Sequence, residues 1–246
     1  MIFKNKNIFS IKNKVCIITG GCGGIGSALS KAINQNNGKL IIIDKYIKKK
    51  LINKNIDYYK CDLENKVETK IIIKKILDKY KYVDSLINAI GISIENSIEN
   101  SFEKNLNTNL IAVYNVTLPI LEHMKKKGGS VINITSLNAE LGFSKNPGYV
   151  ASKGALKMLT KSFCLDYAKY NIRINNLGPG YIKTKMTRKK FLNLKDRKTR
   201  IDRIPLGRYA DPGDLVGPVI FLMSEASSYM TGQDLYIDGG FLAKGI

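Results

Sequence analysis

The chain has 246 residues, of which 44% are hydrophobic, so it is long enough to fold around a substantial core. It carries a formal net charge of +20, but its lysines are spread along the chain without the aromatic-interleaved basic stripe of a nucleic-acid binder. No apolar run approaches the ~18 residues of a membrane helix and the first residues lack a signal-peptide pattern, so we expect a cytoplasmic protein that binds neither nucleic acid nor membrane.

Cysteine and histidine usage argues against two further classes. The four cysteines have no CxxC spacing and His123 is the only histidine, which disfavours both a disulfide scaffold and a zinc site. His123 lies near the end of a predicted helix over Leu118–Lys127, where we expect a surface residue without a chemical role. We therefore expect no metal, and any general acid or base has to be Tyr, Lys, Asp, Glu or Cys.

Short apolar runs alternate with amphipathic stretches along the whole chain. Strands are predicted at Lys14–Thr19, Lys39–Asp44, Tyr58–Cys61, Ser85–Ala89, Ser130–Thr135, Arg173–Leu177 and Leu235–Ile237. Helices are predicted at Gly24–Asn36, Glu64–Tyr80, Asn105–Lys127 and Asp211–Ser224, and from Pro147 to about Tyr170. This rhythm predicts an α/β fold: a single Rossmann-type, doubly wound domain over residues 1–246, with about seven parallel strands and helices on both faces. Ligands of such sheets bind at the carboxyl ends of the strands.

A glycine-rich turn, Thr19–Gly26, joins the first predicted strand to the first predicted helix. Its glycines let the backbone approach a pyrophosphate, and the helix N-terminus supplies free N–H groups and the positive end of its dipole. An ordinary tight turn is the alternative. The turn predicts a dinucleotide site, in which Cys22 is expected to fill space rather than act as a nucleophile. The predicted contacts are Gly20, Cys22, Gly24, Ile25 and Gly26.

Asp44 ends the second predicted strand, 18 residues beyond Gly26. A carboxylate at this point can accept hydrogen bonds from both ribose hydroxyls of an adenosine and repels a 2′-phosphate, which favours NAD over NADP. The neighbouring Lys45 weakens this preference, so NADP stays possible. Gly23 leaves the turn without an arginine for a 2′-phosphate.

Tyr149 and Lys153 lie four residues apart in the predicted helix after Pro147, so their side chains share one face. A phenol beside a positive charge forms its anion more easily and can transfer a proton. For such a pair on its own, an ordinary solvated helix turn is the better explanation. The setting argues for chemistry, because Ser136 closes an apolar strand 13 residues before the tyrosine.

Together these motifs resemble the short-chain dehydrogenase/reductase family over essentially the whole chain. In family order they are the TGxxxGxG turn, Asp62-Leu63, Asn88–Gly91, Asn109, Ser136, Tyr149 with Lys153, Pro179-Gly180 and Asp238–Gly240. One departure is Asn88-Ala89-Ile90-Gly91, where the family has Asn-Asn-Ala-Gly; we expect a changed local hydrogen bond and not lost activity. The resemblance implies an NAD(P)-dependent oxidoreductase that interconverts a secondary alcohol and a ketone by hydride transfer.

The resemblance also implies a role for each matching residue. Tyr149 would give or take the proton on the substrate oxygen, and Lys153 would stabilise the phenolate. Ser136 would hydrogen-bond the substrate oxygen, and Asn109 would hold a water that passes protons to the lysine. The implied cofactor contacts beyond the turn and Asp44 are Asp62, Leu63, Asn88, Ala89, Gly91, Tyr149, Lys153, Pro179, Gly180, Ile182 and Thr184. Family members are usually tetramers, so a homotetramer or homodimer is expected.

Substrate choice is expected to lie in a lid over about residues 185–208. This segment carries ten Lys and Arg against two Asp, which predicts either a solvated, mobile lid or one that attracts an anionic substrate. The stretches 136–142 and 153–160 look most like the gluconate 5-dehydrogenase branch, which implies a sugar, sugar acid or polyol, and Asn138 and Glu140 could reach a polyol or only shape the loop. The competing branch is 3-oxoacyl-acyl-carrier-protein reductase, and a non-catalytic dinucleotide sensor is a further alternative.

Overall fold

A parallel sheet forms the centre of the molecule. The computed structural model describes residues 7–47, 56–95 and 99–244. The strands are β1 (Val15–Thr19), β2 (Lys39–Asp44), β3 (Ile56–Lys60), β4 (Ser85–Asn88), β5 (Gly129–Ile134), β6 (Ile172–Pro179) and β7 (Asp234–Ile237). All pair in parallel, in the order β3-β2-β1-β4-β5-β6-β7. The predicted doubly wound α/β class is confirmed.

Helices cover both faces of the sheet, which explains the unbroken apolar runs of the central strands. On one face pack α1 (Gly24–Gln35) and α8 (Val216–Met223). On the other face pack α2 (Lys66–Lys79), α4 (Ala112–Met124) and α5 (Pro147–Tyr167). The shorter helices are α3 (Ser101–Leu106), α6 (Arg188–Leu192) and α7 (Leu194–Ile201), the last two within the basic segment. Within the described ranges, no helix is both long and apolar enough to cross a membrane.

The long helix predicted over Asn105–Lys127 is interrupted near its start. α3 ends at Leu106, a π-helical turn spans Asn107–Ile111, and α4 continues from Ala112. Such single π-turns insert one residue into a helix and are frequent at functional sites. Hydrophobic periodicity does not reveal one inserted residue, and this turn carries Asn109.

Two other predictions needed correction. The helix predicted over Asp211–Ser224 begins as a 3₁₀ turn over Pro212–Leu215, where Asp214 Oδ2 accepts a hydrogen bond from the Asp211 N–H at 2.8 Å. His123, expected on the surface, is half-buried, and its Nε2 atom has no hydrogen-bond partner among the described residues.

A row of polar side chains crosses the sheet near the carboxyl ends of its strands. Asn88 of β4 pairs in register with Asn133 of β5, which pairs with Asn176 of β6 and, through it, with Asp234 of β7. Asn88 Nδ2 donates to Asn133 Oδ1 at 2.8 Å, and Asn133 Nδ2 donates to Thr160 Oγ1 at 2.8 Å. Thr160 Oγ1 donates to Asn176 Oδ1 at 2.6 Å, and Asn176 Nδ2 donates to Asp234 Oδ1 at 2.8 Å. Because the buried amides find partners, the row fixes the register of four strands.

Candidate active site

The carboxyl ends of six neighbouring strands place the predicted site residues along one edge of the sheet. From β3 to β6 they are Asp62, Asp44, the glycine turn, Ala89–Gly91, Ser136 and Pro179-Gly180. From β1 the sheet continues through β2 to β3. From β4 it continues in the opposite direction through β5 and β6 to β7, so the strand order reverses between β1 and β4. Ligands of doubly wound sheets bind at such a switch point.

Two adjoining cavities open at this edge. The smaller, of about 120 Å³, is lined by many of the predicted residues: Ile25, Ala89, Gly91, Ser136, Tyr149, Lys153, Pro179, Gly180, Ile182 and Thr184. The larger, of about 430 Å³, is lined by Ser136, Tyr149 and Gly180 together with loop residues. Since Ser136 and Tyr149 line both spaces, these side chains stand where two bound molecules would meet.

The glycine turn is too tightly closed to accept a side chain at Gly24 or Gly26. A Cβ on Gly26 would come 2.1 Å from the Gly20 carbonyl oxygen, and a Cβ on Gly24 would come 2.9 Å from Thr184 Cβ. α1 begins at Gly24 with an extended residue, Gly23, before it. The bare helix N-terminus leaves its N–H groups open to a phosphate, so the cradle fits a dinucleotide.

Asp44 is held against this turn. Its Oδ2 accepts a hydrogen bond from the Cys22 N–H and its Oδ1 accepts one from the Tyr46 N–H, each at 2.9 Å. Lys45 pairs instead with Asp62, whose Oδ2 lies 2.5 Å from Nζ, and this contact lowers the pKa of Asp62. The Asp44 carboxylate therefore faces the turn without a salt bridge to its neighbour.

Lys153 is buried at the centre of the site. Its Nζ donates to the Ile134 carbonyl oxygen at 2.8 Å, and burial lowers the pKa of Lys153 to about 8. A Cβ added to Gly91 would lie 3.4 Å from this Nζ and 3.5 Å from Asn109 Oδ1. The lysine and the asparagine therefore flank the same small space.

Three hydrogen bonds hold the side chain of Asn109, although the residue lies inside a helical stretch. Its Oδ1 accepts from the Ile92 N–H at 2.8 Å, and its Nδ2 donates to the Ile92 carbonyl at 2.9 Å and to Ser152 Oγ at 3.0 Å. It is completely buried. The π-helical turn thus aims Asn109 at the loop after β4 rather than at solvent.

Tyr149 and Ser136 line the same cavity as Lys153 and are the other half of the predicted catalytic group. Burial raises the pKa of Tyr149, and the hydrogen bond with the Ser136 hydroxyl opposes the rise. Lys153 Nζ lies 5.9 Å from the Tyr149 ring centroid. With the raised pKa the phenol is protonated at neutral pH, which is the form that can donate a proton. Stabilisation of the phenolate by Lys153, which the family resemblance implies, stays a prediction.

The stretch after β6 is tied down by a residue that the sequence did not single out. Thr187 Oγ1 donates to the Ile182 carbonyl at 2.5 Å and accepts from the Thr184 N–H at 3.0 Å. Ile182 is buried and forms a bridge with Ala210. A hydroxyl three residues after Thr184 was the only sequence signal for this clamp.

Three predicted cofactor residues point into the interior instead. Leu63 and Cys22 belong to the hydrophobic core, and Cys22 reaches the site through its backbone N–H. The side-chain amide of Asn88 donates to Asn133 within the polar row and also to Thr117 Oγ1 at 2.9 Å. Any cofactor contact of Asn88 has to come from its backbone.

The larger cavity is lined mostly by side chains that the sequence did not single out, although Met186 and Thr187 lie within the predicted lid. They are Ser93, Ile94, Glu95, Leu137, Phe143, Tyr181, Met186, Thr187 and Tyr209. Asn138 lines it too, whereas Glu140 instead accepts hydrogen bonds from Lys157 and from Tyr236 Oη, the latter at 2.7 Å. Of the two readings left open for this pair, Asn138 faces the cavity and Glu140 shapes the loop.

A family model described as enoyl-(acyl carrier protein) reductase matches residues 21–242. The chain belongs to the short-chain dehydrogenase/reductase family. A 3-oxoacyl-acyl-carrier-protein reductase of Thermotoga maritima is 34% identical, with 94% of this chain and 99% of that protein covered. The 5-keto-D-gluconate 5-reductase of Escherichia coli is 33% identical, with 96% of this chain and 98% of that protein covered.

A solved structure described as a gluconate 5-dehydrogenase from Burkholderia cenocepacia J2315, in complex with NADP and tartrate, superposes with a TM-score of 0.90. It is 28% identical and covers 96% of this chain and 98% of its own. The short-chain dehydrogenase/reductase resemblance is thereby confirmed, and so is the interpretation as an enzyme. This short-chain dehydrogenase/reductase is an oxidoreductase that acts on CH–OH groups and uses a nicotinamide dinucleotide.

Proposed function

We propose that this enzyme interconverts a small hydroxy acid of the sugar-acid class and its keto form. The observation that carries the proposal is the larger cavity, which is about 430 Å³, opens on Ser136 and Tyr149, and lies beside the basic segment 185–208. A cavity of this size is near the lower end of the range for ligand sites, which suits a small substrate. The E. coli relative acts on 5-keto-D-gluconate by its name, and the Burkholderia structure holds tartrate, which is itself a hydroxy acid.

In this proposal each member of the catalytic group handles a proton or a developing charge. A bound nicotinamide ring would supply or accept the hydride. The Tyr149 phenol donates its proton to the carbonyl oxygen in reduction and recovers it in oxidation, and the charge of Lys153 favours the phenolate that forms. The Ser136 hydroxyl donates to the same substrate oxygen. Asn109, fixed beside Lys153, would hold the water through which the proton is replaced.

We propose that the cofactor contacts lie along the strand ends described above. The phosphates would lie on the turn at Gly20, Gly24 and Gly26, the adenosine between Asp44 and Asp62, and the nicotinamide near Ile182 and Thr184. The cradle at Gly26 and the position of Asp44 support this assignment. The preference for NAD that Asp44 suggests is not confirmed, because the Burkholderia neighbour carries NADP. We propose that both dinucleotides are accepted and that Asp44 sets their ratio.

A second candidate is the reduction of a 3-oxoacyl group on an acyl carrier protein. The Thermotoga relative, at 34% identity, favours it. The net charge of +20 would also attract an acidic carrier. We rank it second because a carrier-bound acyl chain offers no carboxylate to the basic segment over the cavity.

The test is steady-state oxidation of NADPH and NADH with three ketones: 5-keto-D-gluconate, the neutral ketose D-fructose and acetoacetyl-coenzyme A. We expect the highest kcat/KM for the keto acid, and we expect its KM to rise with ionic strength because screening weakens the attraction of the segment 185–208. A higher kcat/KM for the thioester would favour the second candidate. A KM for the keto acid that does not change with ionic strength would contradict the electrostatic part of the proposal.

We further propose that the enzyme is a homo-oligomer and that it works in the cytoplasm. Apolar side chains stay exposed on the π-turn, α4 and α5, namely Ile111, Tyr114, Met158 and Leu165, and such patches favour association. All four cysteines are free, which suits a reducing compartment. Light scattering on the eluting protein distinguishes dimer from tetramer, and a monomer at micromolar concentration would contradict the assembly.

A further inference from the structure

The turn that carries Ser136 ends at an anchored carboxylate. A single 3₁₀ turn spans Leu137–Ala139, with Ser136 at its N-terminal end and Glu140 at its C-terminal end. The Ser136 hydroxyl oxygen accepts a hydrogen bond from the Asn138 N–H at 3.1 Å, which closes the turn on the serine. Because only three residues separate Glu140 from Ser136, whatever fixes the first also limits the position of the second.

Two donors from different parts of the fold hold Glu140. Its Oε1 atom accepts a hydrogen bond from Tyr236 Oη of β7 at 2.7 Å and another from Lys157 Nζ of α5. Lys157 follows Lys153 by one helical turn, and its side chain is only 16% exposed. We call Glu140, Lys157 and Tyr236 the serine anchor. It ties the turn of Ser136 both to β7 and to the helix that carries the predicted catalytic lysine.

The protonation states of the serine anchor suit these contacts. The hydrogen bond from Lys157 lowers the pKa of Glu140, and the one from Tyr236 adds to the effect, so Glu140 is an ionised acceptor at neutral pH. Burial and the Glu140 carboxylate raise the pKa of Tyr236, so its phenol keeps the proton that it donates. The anchor is therefore a charge-assisted contact with two donors and not a lone exposed ion pair, which would contribute little.

Both donors of the serine anchor are packed against the sheet. Tyr236 pairs with Gly178 in the register of β7 on β6, and a Cβ on Gly178 would come 2.3 Å from the tyrosine ring. Gly178 directly precedes Pro179-Gly180, which lines the smaller cavity. Lys157 Nζ lies 3.6 Å from Asp234 Oδ2, and the other oxygen of Asp234 accepts from the polar row. The sheet therefore sets the position of each donor independently.

A second carboxylate makes the same kinds of contact outside the two cavities. Glu122 Oε1 accepts a hydrogen bond from Tyr167 Oη at 2.7 Å, and its Oε2 accepts one from Lys125 Nζ at 2.7 Å. Glu122 lines neither cavity. It is therefore a matched comparison for Glu140, because each carboxylate accepts from one lysine and one tyrosine but only Glu140 adjoins the turn of Ser136.

We propose that Glu140, held by Lys157 and Tyr236, is a positioning residue for Ser136 and keeps the serine hydroxyl where it can donate to the substrate oxygen. The inference rests on the role that the proposed function gives to Ser136. Misplacement of a reacting group by about 1 Å can cost about 10²-fold in rate, so loss of the anchor should slow the reaction without weakening substrate binding.

The first test is a double-mutant cycle in the full-length enzyme, with saturating NADPH and whichever of the three ketones named above is reduced fastest. We expect Glu140→Ala to lower kcat about 10- to 30-fold and to change KM by less than about 3-fold. Ser136→Ala should lower kcat by about 10²- to 10³-fold, and adding Glu140→Ala to it should cost less than about 2-fold more, because the group that Glu140 positions is gone. Glu140→Gln keeps an acceptor for Tyr236 and should recover part of the loss, whereas Glu122→Ala should keep the wild-type kcat.

Additive losses from Glu140→Ala and Ser136→Ala would overturn the proposal, because Glu140 would then act by a route other than the serine. Equal losses in Glu140→Ala and Glu122→Ala would overturn it in favour of a general effect on stability. A wild-type kcat in Ser136→Ala would instead contradict the role of the serine in the proposed function.

Hydrogen exchange separates these failures, because it needs no turnover. The peptide from Ser136 to Glu140 contains the amides that close the turn, and mass spectrometry follows their exchange. Glu140→Ala should raise the exchange rate of this peptide at least 10-fold, and Glu122→Ala should leave it unchanged. Exchange that stays at the wild-type rate in Glu140→Ala would show that the anchor does not fix the turn, whichever ketone the enzyme reduces.

Discussion

The cofactor side and the substrate side of the cleft are built in different ways. On the cofactor side the backbone does most of the shaping, through the turn at Gly20–Gly26 and the strand ends that follow. On the substrate side the surface is made largely by side chains of the loops, among them Phe143, Tyr181 and Tyr209. A backbone cradle accepts one kind of ligand, the dinucleotide, whereas a wall of side chains can change from one relative to the next. This difference explains how the chain can resemble both acyl and sugar-acid enzymes at similar identity.

The catalytic group between the two sides should respond most strongly to substitution. Tyr149→Phe removes the phenol that lines both cavities beside Lys153, so we expect kcat to fall by about 10³ to 10⁴, since general acid catalysis contributes up to that amount. The dissociation constant of NADPH, followed by its fluorescence, should change by less than about 3-fold. Tyr229→Phe, at a fully exposed tyrosine, is the matched control and should be silent. A Tyr149→Phe enzyme with more than a tenth of the wild-type kcat would contradict the assignment.

A substitution at a single glycine should disrupt the backbone cradle on the cofactor side. In Gly26→Ala the new Cβ would lie 2.1 Å from the Gly20 carbonyl, so the turn has to open. We expect the NADPH dissociation constant to rise at least 100-fold and the free energy of unfolding to fall by about 1–3 kcal/mol, as in other overpacked sites.

Gly217→Ala is the control for that substitution. Gly217 lies in the first turn of α8, is exposed, and would meet nothing within 4 Å. Alanine there should raise the free energy of unfolding by up to ~1 kcal/mol and leave cofactor binding unchanged. If both variants bind NADPH equally well, the close packing of the turn does not matter for the cofactor.

Asp44 is the side chain on the cofactor side whose charge should decide between NAD and NADP. Asp44→Asn keeps an oxygen to accept from the Cys22 N–H but removes the charge that repels a 2′-phosphate. The ratio of kcat/KM for NADPH to that for NADH should rise about 10-fold or more, equivalent to about 1.4 kcal/mol. Asp78→Asn removes the same charge from the exposed face of α2 and should leave the ratio unchanged. Equal changes in both variants would mean that net charge, and not Asp44, sets the ratio.

The pH dependence of reduction should follow Lys153. Its pKa is lowered to about 8, so the ammonium is present below pH 8 and is lost above it. Since reduction needs the charged lysine, kcat/KM should be level below pH 8 and fall about tenfold per unit above it. In Lys153→Arg the charge persists, so the remaining activity should fall only at higher pH. A profile identical in both enzymes would show that another group titrates.

The parts of the site that could be predicted from sequence are those fixed by short segments. The glycine turn, Asp44 and the Tyr149–Lys153 pair each belong to one short segment of the chain. The parallel sheet then brings these segments to one edge. The fold followed from the same local patterns. The strand bounds were predicted to within about two residues because buried parallel strands are continuous apolar runs.

The parts that could not be predicted depend on contacts between distant segments. Asn88 carries a family motif, but the register of β4 with β5 turns its side chain into the polar row. The π-helical turn at Asn109 leaves no trace in the periodicity. Tyr209 lies outside every motif, and only the packing of distant segments places it on the larger cavity.

The polar row beneath the site consists almost entirely of side chains that do not titrate. From Asn88 to Asn176 its members are amides and a hydroxyl, none of which gains or loses a proton near neutral pH, and Asp234 at the margin is the one carboxylate among them. The part of the row on β4, β5 and β6 therefore keeps its charge while Lys153 titrates. The predicted fall of kcat/KM above pH 8 should therefore not come from this part of the sheet.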